Sequence, residues 1–245
     1  MDSKTTTLKF GFYSSIALMI LTIITFGFAM TAIPPSGPNC PGNCMDYPFS
    51  DLLNYYPRDY YWMYLVIFQI FAFMIFVVSL HNNTSGEKRI YSSIGLAFAL
   101  ISSTVLLADY FIQFAVVPIS MMKGETEGIA LLTQYNGHGI FIALEELGYI
   151  TMSIALFFLA PVFSSTNRLD KSIRCILFLP LILNIISFVL NLMKFGIDRH
   201  YRFEVASISV DWLFLIVVSI LISIYFKRQL KNNDKNKTGY TQHTI

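Results

Sequence analysis

Charged residues are scarce in this sequence. Only 13% of the 245 residues are Asp, Glu, Lys or Arg, whereas a soluble domain carries about 25%. The hydrophobic share is 55% and the mean hydropathy is +0.58. One soluble core of this size cannot bury so much apolar surface, so the composition predicts an integral membrane protein whose main partner is the lipid bilayer.

The motifs of several soluble functions are absent as well. The net charge is only +2 and no basic run carries interleaved aromatic residues, which argues against a nucleic-acid partner. A glycine-rich phosphate loop, the HExxH motif and the GxSxG motif are all missing. We therefore expect no cofactor, and the sequence leaves open whether the protein is an enzyme.

Cysteine is rare, with three residues in the chain. Cys40 and Cys44 enclose a Pro-Gly-Asn turn, and Cys175 lies in an apolar segment. On the outer face of a membrane, a disulfide between Cys40 and Cys44 is the favoured interpretation. A metal site is a weaker alternative because no His lies nearby, and free thiols are the third.

Six apolar stretches are each long enough for a transmembrane helix, which needs roughly 20 residues. They are continuously apolar, whereas barrel strands alternate, and the first is too long for a cleaved signal peptide. We predict an all-α fold, with one transmembrane domain of about six helices over residues 1–226 and a polar tail over 227–245. The predicted helices lie near residues 11–33, 60–80, 90–118, 139–163, 173–195 and 205–226.

The distribution of Lys and Arg predicts the orientation. If the N-terminus is cytoplasmic, 12 of the 17 basic residues fall in cytoplasmic segments and five in external ones. Short cytoplasmic loops are enriched in Lys and Arg. We therefore predict a multi-pass protein of the cell membrane with both termini cytoplasmic.

Two external loops stand out in this topology. Six of the nine prolines lie in or beside the loop 34–59, which favours a rigid, non-helical cap. The loop 119–137 predicts a short helix after Gly128, either a lid or a plain surface helix. An aromatic cluster that ends the first loop indicates an interfacial belt more than a ligand cage; it comprises Tyr55, Tyr56, Tyr60, Tyr61, Trp62 and Tyr64.

Four acids fall inside the predicted helices: Asp109, Glu145, Glu146 and Asp211. An ionised acid at the centre of a membrane helix costs about 2.5–3.5 kcal/mol, so these acids must be protonated, paired or in contact with water. Asp109 precedes Pro118 by nine residues, about 13 Å of helix, and Glu145 and Asp211 each lie six residues inside, about 9 Å. All therefore fall in the outer half of the membrane.

Helical spacing places further polar side chains beside these acids. Glu146 is rotated by about 100° from Glu145 and must point elsewhere. We predict that Asp109, Glu145 and Asp211 share a centre in an outward-facing cavity. The candidate ligand-binding residues are Asp109, Gln113, His138, Glu145, Glu146, Tyr149, Asn184, Asn191 and Asp211.

A carboxylate-lined cavity suits a small cationic or polar ligand, which the protein would bind or transport. Six helices without paired Gly/Pro breaks are few for a transporter, so binding is favoured. A membrane enzyme is the first alternative, with His138 as a general base beside the acids and His200 within reach. A structural or sensing subunit is the second, with each acid paired to an outer Arg or Lys.

Overall fold

The computed structural model describes residues 3–32, 35–42 and 44–242. Pro34 of the predicted cap, Asn43 of the cysteine turn and the last three residues of the predicted tail lie outside the described residues. Every regular element in the described part of the chain is helical, and six helices are long and apolar enough to cross a membrane. The all-α, six-helix prediction is thereby confirmed.

The helices are numbered in chain order. They are α1 Ser3–Ala29, α2 Tyr61–Asn82, α3 Arg89–Ala115, α4 Val117–Met122, α5 Ile129–Leu132, α6 Ile140–Leu159, α7 Arg168–Phe195 and α8 Arg202–Gln242. Helix α3 ends before its predicted limit because Pro118 has no amide hydrogen to continue the helix. Helix α8 begins three residues earlier than predicted and continues into the polar tail as far as Gln242.

The six long helices form a closed ring. Each packs against the next in the order α1, α2, α3, α6, α7 and α8, and α8 returns to α1. Helix α6 also contacts α8 across the ring, and α6 and α2 are the most buried of the six spans. Asn233 donates a 2.9 Å hydrogen bond to Thr5. The start of α1 and the C-terminal part of α8 therefore lie at the same end of the ring.

The tightest helix pair, α3 and α6, depends on a glycine. Ser102 donates a 2.8 Å hydrogen bond to the carbonyl oxygen of Gly148. A Cβ atom at Gly148 would overlap the side chain of Leu106. A small residue here allows the two backbones to approach, as is common where helices pack in membranes.

At the other end of the ring, the described residues of the loop 34–59 pack against the segment 117–137, and we call these two segments the cap. The cap has a small hydrophobic core of its own, built from Met45, Phe49, Leu52, Val117, Ile129, Ala130 and Tyr135. The short helix predicted after Gly128 is present as α5, with its first two residues buried in that core. This burial fixes α5 within the cap instead of leaving it as a separate surface helix.

The proline-rich loop differs from the prediction in one respect. It is not free of helix, because three short 3₁₀ helices occur at Gly37–Asn39, Ser50–Tyr55 and Arg58–Tyr60. Proline fixes φ near −65°, a value that a 3₁₀ turn also uses, so proline-rich loops accommodate such turns. Cys40 and Cys44 form the predicted disulfide.

Candidate functional site

A cavity of about 190 Å³ lies beneath the cap, between the cap-side ends of α1, α2, α6 and α8. Two of its lining residues, Met30 and Val205, are exposed, so the cavity opens between the end of α1 and the start of α8. Three carboxyl side chains face it, from Asp59, Glu145 and Glu204. The described lining residues include no Lys, Arg or His.

The cavity walls are largely aromatic. Trp62 and Trp212 are the two tryptophans of the chain, and both line the cavity. Their ring centroids are 6.3 Å apart. The six aromatic lining residues are Phe26, Trp62, Tyr135, Phe141, Tyr201 and Trp212. Carboxylates and the faces of aromatic rings both attract positive charge, and here they share one set of largely apolar walls.

Glu145 on α6 and Glu204 on α8 are the two acids at the base of the cavity. They are 1% and 7% exposed, and they interact electrostatically with each other. Tyr110 donates a 2.5 Å hydrogen bond to Oε1 of Glu145, and its hydroxyl lies 2.9 Å from that of Tyr149. Two neighbouring carboxylates repel each other, above all when burial removes them from water, so this arrangement favours one protonated acid.

Asp109 on α3 belongs to the same group. It interacts electrostatically with both Glu145 and Glu204, and its Oδ2 atom is buried without a hydrogen-bond partner. Within the described residues, none of these three acids has a Lys, Arg or His ion-pair partner. We call Asp109, Glu145 and Glu204 the open acidic cluster, because two of its members face the cavity.

Asp211 lies in a second group, apart from the cavity. Ser153 donates a 2.6 Å hydrogen bond to its Oδ1 atom, and Asn184 lies 3.4 Å from its Oδ2 atom. Asn184 also donates a 2.8 Å hydrogen bond to Ser153. Along α8, Asp211 is seven residues beyond Glu204, about 10 Å. We call Asp211, Ser153 and Asn184 the closed acidic cluster; the expected single centre is divided in two.

The remaining predicted residues occupy other places. Glu146 points away from Glu145, as the helical rotation predicts, and forms a salt bridge with Arg199. It lines a second pocket of about 170 Å³ together with His138 and His200, whose ring centroids lie 6.4 Å apart. In the described chain no group of three or more His, Cys, Asp or Glu could hold a metal ion.

Two amides have local roles. Asn191 bonds to the carbonyl oxygen of Ser187 in its own helix, 2.9 Å away, and joins neither acidic cluster. Gln113 accepts a 3.1 Å hydrogen bond from the backbone of Gln134. Since Gln134 lines the cavity, Gln113 joins α3 to the roof of the cavity.

Tyrosine hydroxyls connect the cap to the roof of the cavity. Tyr201 donates a hydrogen bond to the carbonyl oxygen of Ser36, and Ser36 donates a 2.7 Å bond to the carbonyl oxygen of Tyr135. Burial raises the pKa of Tyr135 and of Tyr201 above their ordinary value, so both remain protonated donors. A Cβ atom at Gly37, which has a φ of +67°, would overlap the Tyr201 ring.

Asp59 is the third acid of the cavity and differs from the other two. Its Oδ1 atom lies 2.7 Å from Nε of Arg58, and the Tyr135 hydroxyl lies 3.4 Å from its Oδ2 atom. Asp59 is therefore already paired with a cation. Glu145 and Glu204 are the two cavity acids for which the described residues provide no such cation.

Sequence reasoning missed Glu204, Asp59 and the aromatic walls. Glu204 lies seven residues before Asp211 and so on the same helical face, but it falls outside a helix that is expected to begin at residue 205. Asp59 belongs to a predicted loop. It reaches the cavity because the cap is held by contacts between residues that are far apart in the sequence. Of the aromatic cluster, Trp62 lines the cavity and Tyr61 is half-exposed.

Comparison of the chain with protein-family models, with curated proteins and with solved structures finds no match.

Proposed function

We propose that this chain is a polytopic membrane protein that binds a small cationic ligand in the cavity beneath its cap. One observation carries the proposal: the described cavity lining holds three carboxyl side chains and six aromatic rings but no basic side chain. Aromatic faces attract cations, above all ammonium groups with apolar substituents. Buried carboxyls supply the opposite charge.

The membrane location is supported by the outer surface of the ring. Large apolar side chains cover its long helices, and soluble monomers rarely expose apolar patches of such extent. On α7 alone Ile182, Ile185, Ile186, Val189 and Leu190 are exposed. With the orientation favoured by the basic residues, the cap and the cavity face the outside of the cell and both termini are cytoplasmic.

The enzyme alternative is weakened by the position of its base. His138 lines the pocket beside Glu146 and Arg199, whereas Glu145 lines the cavity. A general base must lie within about 3 Å of the proton that it removes, directly or through one water. His138 instead shares its pocket with Glu146, the other acid of this alternative, and Glu146 is already paired with Arg199.

Intrinsic tryptophan fluorescence tests the binding proposal, because both tryptophans of the chain line the cavity. The purified full chain in lipid nanodiscs is titrated with tetramethylammonium, choline and benzyltrimethylammonium. We expect a saturable change with at least one of them. The uncharged analogue of choline, 3,3-dimethyl-1-butanol, is the matched control. Equal responses to choline and to this alcohol, or no saturable response to any cation, would contradict the proposal.

Thiol labelling in intact cells tests the orientation. In a Cys175→Ser background, a Glu127→Cys variant places a thiol in the cap loop, and Glu87→Cys places one between α2 and α3. A membrane-impermeant maleimide is expected to label Glu127→Cys before lysis and Glu87→Cys only after it, following the positive-inside rule. The reverse pattern would place the cavity on the cytoplasmic side.

A further inference from the structure

Two buried acids lie together at the base of the cavity. Glu145 and Glu204 are 1% and 7% exposed, and both face the cavity. Two like charges held together away from water destabilise each other, so the pair favours a state with one proton when no cation is bound. This proton therefore occupies the position beside the two carboxyl groups in which they would best neutralise the charge of a bound cation.

The surroundings leave this proton without a basic competitor. The nearby acids are Asp59, Asp109 and Glu146. Two of them have their own cations, since Arg58 pairs with Asp59 and Arg199 pairs with Glu146. The nearby hydroxyls are those of Tyr110, Tyr135, Tyr149 and Tyr201. Among the described residues, no Lys, Arg or His forms an ion pair with Glu145, Glu204 or Asp109.

We propose that the cavity takes an organic ammonium ion in exchange for the proton shared by Glu145 and Glu204. This inference rests on the proposed cation binding. It specifies the class of the ligand and the coupling of its binding to proton release. As the ammonium group reaches the acids, the O–H bond of the protonated carboxyl breaks and the proton passes to water through the open side of the cavity. One positive charge replaces another, so the net charge of the site is unchanged.

The walls favour an organic cation over a metal ion. Ca²⁺ needs six to eight oxygen ligands and Mg²⁺ needs six. The cavity offers the adjoining carboxyls of Glu145 and Glu204, while Asp59 is paired with Arg58. Most of the other lining groups are aromatic or aliphatic, which suits the methyl or alkyl groups around an ammonium nitrogen. The cavity volume of about 190 Å³ accommodates an ion of the size of choline.

Isothermal titration calorimetry of the full chain in nanodiscs tests the exchange. Choline is the probe, because a quaternary ammonium has no proton to release and every released proton must come from the protein. Titrations in phosphate and in HEPES, whose ionisation enthalpies differ, measure the number of protons released. We expect about one proton per bound choline, and an affinity that rises about tenfold per pH unit from about pH 6 to about pH 8.

Glu204→Gln supplies the decisive variant. Its carboxamide donates to Glu145 in place of the shared proton, so we expect weaker binding near pH 8, no proton release and a flat pH profile. Asp211→Asn, in the closed acidic cluster, is expected to keep both the proton release and the pH dependence of the affinity, and melting curves verify that both variants fold.

Choline binding without proton release would overturn the exchange and leave cation binding intact. Absence of any cation binding would overturn both proposals. Release of the proton by Ca²⁺ as effective as its release by choline would overturn the assignment of the ligand as an organic ammonium ion.

Discussion

Two buried acidic clusters share helices α6 and α8, and they differ in what satisfies their acids. In the closed acidic cluster, Ser153 and Asn184 lie within hydrogen-bond distance of the Asp211 carboxyl. In the open acidic cluster, Glu145 and Glu204 both face the cavity. Neutral donors complete the first cluster, whereas the described residues give the acids of the second no basic partner. Burial of an acid in a membrane helix thus does not by itself mark a binding site.

The largest expected effect separates the two clusters by ligand affinity. The double substitution Glu145→Gln/Glu204→Gln is expected to weaken choline binding by about 100-fold, because removal of a buried charge partner typically costs 2–5 kcal/mol. Tryptophan fluorescence titration provides the measurement. Asp211→Asn serves as the matched control and should stay within about twofold of the original chain. A loss in the control as large as in the double variant would erase the distinction between the clusters.

The second prediction concerns stability, for which a substitution in the closed acidic cluster is expected to have an effect. Asp211→Ala leaves the side chains of Ser153 and Asn184 without their acceptor, so we expect a loss of about 1–2 kcal/mol in the free energy of unfolding. Unfolding in mixed micelles with increasing SDS measures it, with Asp211→Asn as the isosteric control. Choline affinity should remain unchanged. An unaltered stability in Asp211→Ala would show that the closed acidic cluster contributes nothing to the fold.

A smaller effect sharpens the role of the hydroxyls around the open acidic cluster. Tyr110→Phe removes the 2.5 Å hydrogen bond to Glu145, and a bond to a charged group is worth about 1.5 kcal/mol or more. We expect choline affinity to fall by about tenfold, because the ionised Glu145 loses this donor. Tyr64→Phe is the control, because Tyr64 is partly exposed on α2 and its ring packs on Phe114. Equal responses of the two variants would argue that Tyr110 only fills space.

The sequence predicts the fold of this molecule better than its site. Apolar runs of sufficient length are a local property, so all six long helices lie where they are expected. The disulfide is also local, since Cys40 and Cys44 are four residues apart. The cap is not local: its core joins residues of two loops that are about 80 positions apart in the chain. No periodic pattern connects such loops.

One helix boundary explains why Asp211 lies apart from the cavity. With α8 expected to start at residue 205, Asp211 has the depth of Glu145; with the start at Arg202 it lies nine residues in, about 13 Å. The same shift brings Glu204 into the helix and onto the face of the cavity. A three-residue change at one helix end thus decides which acid of α8 lines the cavity.

The most direct test of the central claim is a crystal structure with arsenocholine, in which arsenic replaces the nitrogen of choline and gives an anomalous signal. The account predicts one anomalous peak in the cavity, within about 6 Å of the ring centroid of Trp62 or Trp212 and beside the carboxyls of Glu145 and Glu204. A peak beside Asp211, a peak only in the pocket of His138 and His200, or no peak at saturating ligand would contradict it.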